Sequence, residues 1–182
     1  LLKFSADTGA KAVQQIAADP EFEALRGRRD ADVYDLAIIG AGVGGAAAAI
    51  EAKRRGLSVV VFGGGESFST IKNFPREKPI YTYPTDMGPP GGVLRFTAEV
   101  KEPLVAELDA QLEAAGITPK IGRITAVTRR GGLFELAGSG EPSARALRVI
   151  VAIGRSGNYR KLGVPGEALD KVYNRLHDPK GD

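Results

Sequence analysis

The sequence predicts an α/β fold in which a parallel sheet, begun by one strand–helix–strand unit, is extended by a three-stranded antiparallel meander. Three observations carry that expectation. A short apolar run at 36–39, a glycine-rich turn and a helical stretch at 46–55 are followed by a second apolar run at 57–62, which is βαβ spacing. Between 123 and 153, three strand-like runs alternate with turn residues. A stretch at 102–115 with Leu104, Leu108 and Leu112 on one helical face separates the two blocks.

Composition bounds the rest. The 182 residues suffice for one domain with a sizeable core, and 43% hydrophobic with 26% charged residues is ordinary for a globular chain. A net charge of +3, with basic residues scattered and no aromatics between them, argues against nucleic acid. The absence of Cys removes disulfides, thiolate metal sites and dithiol chemistry from this chain, and a single His argues against a His-based metal site. No apolar run is long enough to span a membrane and no signal-peptide pattern opens the sequence, so a cytoplasmic location is expected. The chain begins Leu1-Leu2 without Met, and is expected to be a piece of a longer protein.

Residues 1–32 read as an N-terminal helical extension or linker. Val13, Ile16 and Ala17 give 10–18 helical spacing, Asp19-Pro20 breaks it, 21–25 restarts a short helix, and 26–32 is a polar connector. The segment 63–92, with Pro75, Pro79, Pro84, Pro89 and Pro90, predicts a long loop, and ordered loops of that length tend to be functional. Pro103 suits the first turn of the helix at 102–115, and Gly116 ends it. A third core strand is expected at 117–121 despite Pro119. The meander strands are expected at 123–129, 133–137 and 146–153, the last rejoining the parallel sheet.

The motif that bears on function is Gly40-Ala41-Gly42-Val43-Gly44-Gly45, a G-x-G-x-x-G set between strand and helix. Gly40 permits the tight turn, Gly42 lets backbone approach a pyrophosphate, and Gly45 lets helix pack on strand. The free amides and positive dipole end of the helix then face the diphosphate. This is a Rossmann-like dinucleotide site. An NAD-binding version would place an acid at the end of the second strand to hold the ribose, yet that strand runs into Gly63-Gly64-Gly65 and the first acid is Glu66. Glu66 reaching back across the glycines, glycines closing on a bulky ligand, and a turn without ligand contact all remain open.

The tail adds a second signal. Arg148-Val-Ile-Val-Ala-Ile-Gly154, Leu162-Gly-Val-Pro-Gly-Glu167 and Ser69-Thr-Ile-Lys-Asn-Phe-Pro75, taken with the glycine turn, resemble the FAD-dependent pyridine nucleotide-disulfide oxidoreductases, thioredoxin-reductase-like in type and closest to the low-molecular-weight disulfide reductases. The resemblance covers about 33–176. It implies an FAD/NAD(P)-binding fold that is incomplete, with domains at 1–32, 33–170 (the first half of a split FAD domain) and 171–182 (a linker toward a missing nicotinamide-binding domain). It implies that the turn from Gly40 through Ala41, Gly42, Val43 and Gly44 to Gly45 holds the FAD pyrophosphate and that Gly63 and Gly64 lie near the adenosine ribose. Asn73 would contact the ribityl or isoalloxazine region, Ile124 or the backbone of Arg123 would border the adenine, and Ala152 and Gly154 would pass close to the cofactor. Ile153 stands where the family has Thr, and Glu66 where it has Gln.

The implied activity is passage of electrons from NAD(P)H, bound by a domain absent here, through FAD to a disulfide or other acceptor. No side chain in the chain is expected as a proton-transfer catalyst and no metal is expected. His177 reads as a solvated linker residue, and Tyr81, Tyr83 and Asp86 as surface residues of the long loop. The fragment alone is expected to be inactive and to hold FAD weakly or not at all. Alternatives are an NAD-binding module of a dehydrogenase, a cofactor-free non-catalytic subunit, and a flavin monooxygenase. The expected partner is a small-molecule dinucleotide, a homodimer stays open, and neither nucleic acid nor membrane is expected.

Overall fold

The computed structural model describes residues 1–81, 92–138, 144–154 and 160–172. In chain order these form α1 (Leu2–Ala17), α2 (Pro20–Arg26), β1 (Val33–Ile39), α3 (Val43–Arg54), β2 (Val59–Gly63), α4 (Ser69–Lys72), α5 (Lys101–Ala114), β3 (Lys120–Ile121), β4 (Ile124–Arg130), β5 (Leu133–Gly138) and β6 (Ala144–Val151). The strands make one sheet in the order β3-β2-β1-β6-β5-β4. Pairing is parallel from β3 through β2 and β1 to β6, and antiparallel from β6 through β5 to β4. The expected α/β fold, a parallel sheet continued by a meander, is the one observed.

β1 lies centrally because it is apolar on both faces. Leu36 and Ile38, with Val61 of β2, turn toward the helices, where Leu104, Leu108 and Leu112 of α5 and Ala46–Ala49 of α3 complete one buried cluster. Ala37 and Ile39, with Val60 and Phe62, face the other way and are covered by Leu136, Ala144, Ala146 and the half-buried Ile124 of the meander. The meander thus closes the second face as well as widening the sheet.

Residues 1–32 are built into the same core. Ala6, Val13 and Phe22 belong to the cluster under the sheet. A Cβ on Gly9 would meet Gly44 and Ala48, while the Gln14 amide reaches Glu51 Oε1 at 3.4 Å, so α1 and α3 run in the same direction. The connector is held by charge. Asp35, at the start of β1, accepts from Arg29 Nε at 2.6 Å, Arg26 Nε at 3.3 Å and the Ser58 amide at 2.7 Å. Arg148 of β6 bonds Asp19 at 3.1 Å, and Arg145 pairs with Asp32.

Several boundaries differ from expectation. α1 starts at Leu2 rather than at 10, its first half packed on α3 through the Gly9 crossing. α3 begins at Val43, inside the glycine motif, rather than at 46. The core strand expected at 117–121 is only Lys120–Ile121, an exposed edge. Pro119 lacks an amide for a ladder, and Ile117 instead packs as the end of the α5 turn, its amide donating to Leu112 at 3.0 Å. The long loop contains α4, and its two arms meet in a Pro79–Val100 bridge. β6 runs Ala144–Val151 rather than 146–153. Among the described residues no helix is long and apolar enough to cross a membrane.

Candidate dinucleotide-binding site

The glycine turn sits at the carboxyl end of β1, between β2 on one side and β6 on the other. The chain passes from β1 through α3 to β2 on one side, while β6 reaches the other side from the meander, so the strand order switches direction at β1, the place where α/β sheets bind ligands. Each motif glycine has a visible cause. Gly40 has φ +116°, and a Cβ on it would strike the Ala152 carbonyl on the loop after β6. A Cβ on Gly45 would strike the Gly40 carbonyl and sit 3.3 Å from Ile38, so close packing of α3 on β1 requires glycine. Gly42 is different. Its backbone is extended, with φ −81° and ψ −172°, and a Cβ there meets nothing within 4 Å. That open space is the mouth of the site.

The mouth is lined by donors. Gly42 O accepts from the Ala46 amide at 2.8 Å, the first helical bond of α3. The amides of Gly42, Val43, Gly44 and Gly45 have no hydrogen-bond partner among the described residues, as expected for a helix start without a side-chain cap. Four unpaired N–H groups beside an open Gly42 form an anion cradle. α1 borders it without filling it: a Cβ on Gly44 would lie 3.1 Å from Ser5 Oγ.

Other predicted residues fall around the same end of the sheet. Gly63 ends β2 against Ala41, a Cβ on it lying 3.2 Å from Ala41 Cβ, whereas Gly64 and Gly65 have open space. Gly63 O accepts from the Gly122 amide at 2.8 Å, which brings the start of β4, Ile124, beside the glycine loop. Ala152 donates to Ile39 O at 2.7 Å, and Gly154 adopts φ +64° just beyond. Ile153, where Thr was the resembling residue, is 67% exposed. Asn73 closes α4, its amide donating to Ser69 O at 2.9 Å, and its side chain has no hydrogen-bond partner among the described residues. His177, Tyr83 and Asp86 lie outside the described residues, as do residues 173–182 of the expected linker.

Electrostatics separate the cradle from the ionisable groups. Burial pushes the carboxyls of Asp35 and Glu51 upward, but the Ser58 amide and Arg29 for Asp35, and Arg54 and Arg55 for Glu51, outweigh it and hold both below their ordinary values. Both are structural anchors, Asp35 at the opposite end of β1 and Glu51 late in α3. Glu66 is 78% exposed and lies 3.7 Å from Lys72, which also pairs with Asp109 at 3.1 Å. Among the described residues no group of three or more His, Asp or Glu side chains is placed to hold a metal. The cradle can bind and orient an anion, and it carries no acid or base of its own.

Two contributors escaped the sequence reading. α1 enters through the Gly9–Gly44 crossing, whose only sequence signal is a stripe of small residues, Ala6, Gly9, Ala10 and Val13. Phe68 caps α4 in a left-handed conformation, and its amide donates to Ala41 O at 3.0 Å. An isolated aromatic in a polar loop was its one local sign.

Comparison with known proteins agrees with this geometry. Residues 34–178 match the family model for pyridine nucleotide-disulphide oxidoreductase. No curated protein sequence matches the chain. Among solved structures, the bacillithiol disulfide reductase Bdr (YpdA) of Staphylococcus aureus is similar at 20% identity and a TM-score of 0.67, over 80% of this chain and 46% of that one. The Bacillus cereus enzyme of the same name matches at 24% and 0.67, over 79% and 47%. Thioredoxin reductase from Streptococcus pyogenes matches at 28% and 0.54, over 76% and 40%. The chain thus spans less than half the length of these structures, and what they share with it is the fold. With a glycine turn, βαβ unit and meander all inside the matched span, the chain belongs to the pyridine nucleotide-disulphide oxidoreductase family.

Proposed function

We propose that this chain is the FAD-binding portion of a flavoprotein oxidoreductase that passes electrons from NAD(P)H to a disulfide or other acceptor. The observation that carries the proposal is the set of amides at 42–45 without partners among the described residues, at a helix start where Gly42 has open space. An FAD diphosphate fits that cradle in charge and in donor count. The adenosine half would lie beside the end of β2 at Gly63 and over Gly64, where a backbone without a side chain leaves room. Ile124 would border the adenine, and Asn73 would offer its uncommitted amide group toward the flavin half. Ala152 and Gly154 would close the near wall. When bound, FAD supplies the hydride and electron chemistry, and the protein's share is position and electrostatics. The site for NAD(P)H is assigned by this reading to residues outside these 182.

A Rossmann NAD site usually holds the ribose with a carboxylate at the end of β2, whereas this chain has Gly63 there and Glu66 exposed beside Lys72. The adenosine ribose is common to NAD and FAD, so the choice of FAD is supported by the family match. The test is calorimetric titration of the chain with ADP, FAD and NADH. ADP, FAD and NADH share the adenosine diphosphate, so all three are expected to bind weakly, with FAD at least as tight as ADP and tighter than NADH because only its flavin half would also meet Asn73. Absence of any ADP binding at millimolar concentration, or tighter binding of NADH than of FAD, would overturn the proposal.

A further inference from the structure

We infer that Phe68 is a positioning residue for the nucleotide cradle, locking the Ala41–Gly42 peptide so that the Gly42 amide faces the diphosphate. The inference deepens the proposed dinucleotide site and rests on that reading. Phe68 is one of two non-glycine residues with positive φ among those described, at φ 56° and ψ 27°. A side chain in that region persists only where its surroundings over-determine it. Here they do. The ring is 1% exposed, in the cluster that also holds Ala41, Val43 and Ile71. The Phe68 carbonyl accepts from the amides of Ile71 at 2.8 Å and Lys72 at 3.0 Å, which starts α4.

The strained backbone has one consequence toward the site. It turns the Phe68 amide back on the glycine motif, where it donates to Ala41 O at 3.0 Å. A trans peptide is planar, with its C=O and N–H pointing in opposite directions. Fixing the Ala41 carbonyl on the protein side therefore fixes the Gly42 N–H on the opposite side of the peptide, where it has no partner among the described residues. Without that bond the peptide between two small residues would be free to rotate, and the donor nearest the crevice would lose its direction. The buried ring anchors this geometry through the backbone and touches no ligand.

The experiment compares the wild-type chain with Phe68→Ala and Phe68→Leu by ADP titration and by amide resonances. Wild type is expected to show slow hydrogen exchange at the Phe68 amide, and a large ADP-induced shift at Gly42. Phe68→Leu, which keeps a buried apolar anchor, should bind ADP within about threefold of wild type and retain the shift. Phe68→Ala should bind at least tenfold more weakly and lose the Gly42 shift, at a temperature where circular dichroism shows it folded. Equal ADP affinity in wild type and Phe68→Ala would overturn this inference alone. Fast exchange of the wild-type Phe68 amide would do the same, and needs no variant to fold. Wild type that binds no ADP would overturn the dinucleotide reading, and this inference with it.

Discussion

Replacing Gly9 with Ala separates intrinsic helix preference from tertiary packing, because the two act in opposite directions at this position. Gly9 lies within the sixteen-residue α1. In an isolated helix the change favours the helix by about 1 kcal/mol. In the folded protein the added methyl would fall inside the Gly44 carbonyl, 3.0 Å from Gly44 C and 3.3 Å from Ala48 N. All three are backbone atoms of a helix already packed on β1, so no side-chain rotation can relieve the contact. Overpacking of that kind costs about 1–3 kcal/mol, more when backbone must move. Taking the upper part of that range, the net is a loss of about 1–2 kcal/mol, or roughly 2–8 °C in Tm for a chain of this size. Gly27→Ala is the control. Its φ is −67° and the nearest atoms to a Cβ lie at 3.8 and 3.9 Å, so it should stabilise by about 0.4–1 kcal/mol. Thermal and urea unfolding followed by circular dichroism measure both. If Gly9→Ala stabilised as much as Gly27→Ala, the claim that α1 crosses α3 at a glycine contact would be wrong.

Other outcomes follow from the same contacts. Gly42→Ala should leave Tm within about 2 °C, since the backbone there is ordinary and the methyl meets nothing, yet weaken ADP binding at least tenfold by intruding on the cradle. Gly45→Ala should do the reverse first, destabilising the fold through the Gly40 carbonyl, as unfolding curves will show. Asp35→Asn leaves the partly exposed Arg29 and Arg26 facing a neutral amide, and is expected to cost about 1–3 kcal/mol in urea unfolding. The folded Asp35 carboxyl lies below its ordinary 3.8, so its contribution is present above that value and is lost as pH falls through the folded pKa. Wild-type stability should therefore drop below about pH 4, and this part of the drop should vanish in Asp35→Asn. Glu167 accepts from the amides of Leu162 at 2.8 Å and Gly163 at 2.7 Å; Glu167→Ala should speed hydrogen exchange at both without moving the global Tm.

Much of the site is legible locally. Gly40, Gly42 and Gly45 each answer a requirement set within a few residues: a left-handed turn, an open approach, a helix resting on the strand before it. Apolar runs of one kind before the turn and of the same kind after it leave little choice but a βαβ unit. Elements with mixed signals were misjudged. The third strand looked longer than its two residues because Ile117 is apolar, while the ladder it would need is denied by Pro119. Gly9 falls outside the helical spacing read at 10–18, because its purpose stands on another helix.

Chain-local chemistry therefore dictates the strand, the glycine turn and the helix start, since the forces that shape them (steric freedom, amide pairing, periodic burial) act between neighbours. The crossing of α1 on α3, the grip of Phe68 on Ala41 and the bond from Arg148 to Asp19 come into being only when distant segments are packed together. Each joins residues whose sequence positions carry no common pattern, and what selects them is the shape and charge of the surface they meet.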